Sequence, residues 1–124
     1  MSRAVRLEPA HDAAVYAVAQ RFSATPFNIN YADSDGEALA GCIRELLLRA
    51  GWIQLSAASP APGFNRRGVI LWAPPAMVGT AEALAVPLGE VFAVQVVERS
   101  DGGPVAVTVG LATWSTVRGV MPAS

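Results

Sequence analysis

Leu39, Cys42, Ile43, Leu46, Leu47 and Ala50 recur at steps of three and four residues, and the run closes on Gly51 and Trp52. No other feature of the chain constrains its fold as tightly. The spacing predicts a helix of three turns with one apolar face. Glycine at its end can take the left-handed conformation of a C-terminal cap, and the tryptophan after it supplies the apolar contact that often accompanies such a cap. Ile53, Leu55 and Ala57 then alternate with Gln54 and Ser56, so a strand follows almost without a loop. Upstream, Phe27, Asn28, Ile29, Asn30 and Tyr31 alternate in the same way. The stretch 26–57 therefore reads as a strand, a helix and a strand.

The pattern repeats once. "GVILW", residues 68–72, is a continuous apolar run of the kind found in a strand buried on both faces. After Pro74 and Pro75, a second helix is expected over 76–88 with Met77, Ala81, Leu84, Ala85 and Leu88 inward, its last turn disturbed by Pro87. "VFAVQVVER" and "PVAVTVGLATW" alternate around Ser100, Asp101, Gly102 and Gly103, which predicts an antiparallel hairpin. A short helix is expected over 9–22, opened by Pro9 with Asp12 in its first turn, and with His11, Ala14, Val15, Val18 and Phe22 on one face. The expected fold is a single α/β (α+β) domain over 1–124. It has an N-terminal helix at 9–22 and a body at 26–114, with a mixed sheet of about five strands in βαβ-βαβ-β order and two flanking helices.

Composition narrows the function. With 52% hydrophobic residues in 124, the chain can bury a core without staples. Its net charge of -1 gives no broad basic field for a nucleic acid backbone, so no nucleic acid partner is expected. One cysteine and one histidine, Cys42 and His11, make neither a disulfide framework nor a zinc set, so neither a metal nor a cofactor is expected. Cys42 lies on the apolar helix face, where a thiol is an inert, protected small hydrophobe. The longest uncharged apolar run, 68–81, is broken by two prolines and predicts no membrane insertion. A soluble domain, cytoplasmic rather than secreted, is the expectation, whether whole or part of a longer membrane protein.

Two places invite a ligand. Asp33, Ser34 and Asp35 lie where the first strand gives way to the long helix, the end at which α/β sheets place their ligands. Ser34 and Glu37 also have capping-box spacing, so the same residues read as a helix start with dipole-favourable acids. Arg66 and Arg67, in the turn-rich segment 59–68, are the residue type for gripping a phosphate or carboxylate, and equally the type that fills a solvated loop. Trp114, near the end of an apolar run, is a candidate for contact with a partner protein.

"FNINYADSDGEALAGCIRELLLRAGW" resembles an uncharacterised bacterial α/β domain often found beside membrane segments, over residues 27–112 as far as Val109 and Gly110. The stretch also resembles the opening of a TIR domain at Asn30, Tyr31, Asp33 and Asp35. "VILWAPPAMVGTAEAL" is similar to the later TIR strand and helix. That second resemblance implies a parallel sheet, nucleotide binding or NAD cleavage, and a catalytic glutamate at Glu82. The chain departs from it in lacking room for the helix between the second and third strands. Three functions are therefore carried forward. One is a non-enzymatic sensory or protein-interaction domain with a cleft near Asp33, Ser34 and Arg66; another is a TIR-like nucleotide-binding or NAD-cleaving domain. The last is an oligomerisation unit, a homo-oligomer joined through an exposed strand edge.

Overall fold

The computed structural model describes residues 5–31, 34–60, 68–90, 93–100, 103–109 and 120–122, with side chains except at 5–7, 34–36 and 120–122. Its elements are β1 (Val5–Leu7), α1 (Pro9–Gln20), β2 (Pro26–Tyr31), α2 (Ser34–Arg49), β3 (Ile53–Gln54), β4 (Ser59–Pro60), β5 (Val69–Ala73), a 3-10 turn (Pro75–Met77), α3 (Val78–Leu88), β6 (Val94–Glu98), β7 (Val105–Val109) and β8 (Val120–Pro122). The main sheet runs β3-β2-β7-β5-β6, and β4 joins it on β2. β1 and β8 form a separate antiparallel pair.

The sheet is mixed. β2 is parallel to β3, β4 and β7, and β5 is parallel to β6 but antiparallel to β7. The α/β class and the two successive βαβ units are thus as the sequence implies. The expected hairpin between 94–98 and 105–109 does not form, because β5 lies between those strands. Burial explains the exchange. All five residues of β7 are buried, which suits the centre of a sheet, while β6 carries exposed Gln95 and Glu98 and suits an edge. The connection between them is held by Arg99, whose backbone N–H donates to the Ala73 carbonyl at 2.8 Å and whose guanidinium donates to the Pro104 carbonyl.

All three helices lie on one face. Strand alternation sends Phe27, Ile29, Leu71, Val105, Val107 and Val109 into a single core with Val15 and Ala19 of α1, Leu39, Ile43, Leu46 and Leu47 of α2, and Ala81, Leu84 and Leu88 of α3. In α1 the buried face is centred on Val15 and Ala19, and Ala14 is exposed, a shift of the expected stripe around the cylinder. Cys42 is half-buried at the margin of the α2 face, where the sequence suggests full protection. α3 ends at Leu88, one residue beyond the buried Pro87. On the opposite face Asn28, Ala106 and Trp72 form one cross-sheet row, and Asn30, Thr108 and Ile70 form the next. The small Ala106 lets the Trp72 indole cross diagonally and donate to Thr108 Oγ1 at 3.0 Å.

The end of α2 is a complete Schellman cap. Trp52 N–H donates to the Leu47 carbonyl at 3.0 Å, Gly51 N–H donates to the Leu48 carbonyl at 3.1 Å, and Gly51 has φ +93°. A Cβ on Gly51 would sit 3.1 Å from Ser23 Cβ as well as in the left-handed region. Gly51→Ala is therefore expected to cost about 1–2 kcal/mol, read from the urea midpoint at unchanged m-value.

Candidate binding edge

β2 ends at Tyr31, and α2 is already helical at Ser34, one residue before an N-cap at Ser34 would imply and within the usual spread of helix ends. Asp33, Arg66 and Arg67 lie outside the described residues, as do Trp114 and the side chains of Ser34 and Asp35. Glu37, which the capping-box spacing directs to the helix start, is engaged by Tyr31. Desolvation, followed by the charge and hydrogen bond of Glu37, raises the Tyr31 pKa above its ordinary 10.0. The phenol therefore stays protonated and donates to the carboxylate. Any stability from this contact is present below the ordinary value and lost as pH rises through the raised one.

The residues that the fold brings together lie lower on the same side of the sheet. Phe27 pairs with Gln54 and Asn30 with Ser59. Between those pairs β2 has two residues, Asn28 and Ile29, while the edge has four, Leu55 to Ala58. β3 and β4 are thus one edge strand interrupted by a two-residue bulge. Its serines are tied back to β2: Ser56 Oγ donates to Asn28 Oδ1 at 2.9 Å and Ser59 Oγ to Asn30 Oδ1 at 2.8 Å. Gln54 Nε2 donates to the Ser56 carbonyl at 2.7 Å.

The parallel register places Gln54 on the helix-covered side, with Phe27, and sends Ile53 and Leu55 to the other. They remain 50% and 56% exposed, and Leu48 of α2 is 38% exposed. Above the bulge lies an open groove of about 580 Å³ lined by Arg44, Gln54, Leu55, Ser56, Ala57 and Ala58. Arg44 is the only charged residue of that lining. Sequence spacing does not disclose this site, because "QLSAAS" reads as the tail of a strand and Arg44 as one solvated helix position. Only the turn at Gly51 folds one back beside the other.

Among the described residues no group of histidine, cysteine, aspartate and glutamate is arranged to hold a metal ion, and no helix is long and apolar enough to cross a membrane. Glu82 is exposed on α3. No protein-family model, no curated protein and no solved structure matches the chain.

Proposed function

We propose that the chain is a non-enzymatic interaction domain that binds through the bulged edge of its sheet. The observation that supports this reading is an edge that exposes two large apolar side chains, Ile53 and Leu55, beside an open groove containing one guanidinium. An edge strand of a monomer is ordinarily blunted by charge, proline or a bulge; here the bulge and Pro60 blunt the far end, while Ile53 and Leu55 leave the near end apolar. A sensory role, with Asp33, Ser34, Asp35, Arg66 and Arg67 as ligand contacts, belongs to the same reading.

Site-specific photocrosslinking tests it. A crosslinker at position 55 should yield a discrete protein adduct in cells of the source organism, and one at Val86, exposed on the distant α3, should not. Equal patterns from the two positions would defeat the proposal. The TIR-like alternative makes the opposite forecast for chemistry. Hydrolysis of NAD needs a carboxylate held beside the scissile bond in a water-controlled pocket, whereas Glu82 is exposed and the β5–β7 pairing is antiparallel. Purified protein incubated with NAD is expected to release no nicotinamide above the buffer rate. Release abolished by Glu82→Ala would restore the enzymatic reading.

A further inference from the structure

Building on the interaction-domain reading, we infer that the bulged edge and its groove take an extended peptide whose side chains alternate apolar and acidic. The backbone supplies the first argument. Ile53 N–H donates to the Thr25 carbonyl at 2.9 Å and Leu55 N–H to the Phe27 carbonyl at 3.0 Å, both toward β2. Strand alternation therefore directs the N–H group of Gln54 away from the sheet, where an added strand can accept it. The bulge limits such pairing to a few bonds, so side chains must supply the selectivity.

Those side chains fall in two rows. A strand laid beside β3 meets Ile53 on the helix-free side and Gln54 on the other, with Leu55 and Arg44 lining the groove beside them, so its own alternating residues face apolar and cationic groups. Among the described residues the only ion-pair partner of Arg44 is the adjacent Glu45, at 3.3 Å, with side chains 34% and 65% exposed. An exposed pair of this kind is weak, and the guanidinium has five donors, enough to take a further carboxylate. A second copy of the chain fits less well. A two-fold axis through this edge would bring Arg44 of one copy toward Arg44 of the other, a like-charge contact at the centre of the interface.

The test uses the purified 124-residue chain and fluorescein-labelled octapeptides of alternating valine and glutamate or valine and lysine, followed by anisotropy. The glutamate peptide should bind and the lysine peptide should not. Arg44→Glu should weaken the glutamate peptide about tenfold or more and reverse the preference, because one charge-assisted hydrogen bond is of that size. Leu55→Asp should abolish binding. Arg44→Gln, checked by circular dichroism, replaces the reversal if that variant fails to fold, and should lose the preference without reversing it. Equal binding of both peptides overturns the inference. So does competition by free glutarate at the peptide's own affinity, which would mean a pocket for small carboxylates. Concentration-dependent dimerisation relieved by Leu55→Asp would give the edge to a second copy instead. If crosslinking from position 55 persists unchanged in Arg44→Glu, the interaction-domain reading survives while the acidic-peptide specificity falls.

Discussion

Trp52→Ala is expected to destabilise the protein by about 3–5 kcal/mol, the range for truncating a buried aromatic, and to lower the thermal midpoint by roughly 10–20 °C for a chain of this size. The size of the effect follows from position. Trp52 is 3% exposed, its ring meets Phe27 edge-on at 6.0 Å between centroids, and its indole N–H donates to the Ala19 carbonyl at 2.8 Å. One side chain therefore joins the end of α2, strand β2 and the last turn of α1. Trp52→Phe separates the contributions. It keeps most of the ring but loses the hydrogen bond, and because the Ala19 carbonyl still accepts the Phe22 N–H at 3.0 Å, the loss should be nearer 1 kcal/mol for that bond. Superimposable melts of Trp52→Ala and the parent would mean that α1 does not dock where it is placed.

Gly68→Ala should be nearly as damaging, at about 3 kcal/mol, for a different reason. Gly68 is buried at φ +98°, and a Cβ there would lie 2.1 Å from the Ala93 carbonyl oxygen, the atom that accepts the Val69 N–H at 2.9 Å. The left-handed conformation alone costs an alanine about 1–2 kcal/mol, and relieving the clash adds a further 1–3 kcal/mol. Relief means separating the start of β5 from the start of β6, so amide exchange at Val69 and Gln95 should accelerate first. Gly41→Ala is the matching control. A Cβ at this α2 position meets nothing within 4 Å, so the substitution should stabilise by about 0.5–1 kcal/mol. Destabilisation by both substitutions to a similar degree would refute the assigned backbone conformations.

The sequence by itself determined the local elements whose causes are local. The apolar repeat from Leu39 to Ala50 makes α2, Gly51 and Trp52 end it, Pro9 opens α1, and the alternation in 27–31 makes β2. Each depends on neighbours within a few residues, so each is legible before any tertiary contact is known. Strand partnership is not of that kind. The alternation of 94–98 and 105–109 is equally compatible with a hairpin and with strands on either side of β5. The second arrangement prevails because β7 is buried on both faces and β6 is not. The face taken by Ile53 and Leu55 is likewise decided by parity. Their apolar alternation suggests a core-facing row, but the capped turn at Gly51 aligns Gln54 with Phe27 and sends both residues to the helix-free side. The candidate edge shares that origin. Its groove exists because a two-residue bulge, visible only in the register against β2, lies beneath an arginine on the side of α2, and residues ten or more positions apart in the chain become neighbours only when the sheet and helix pack.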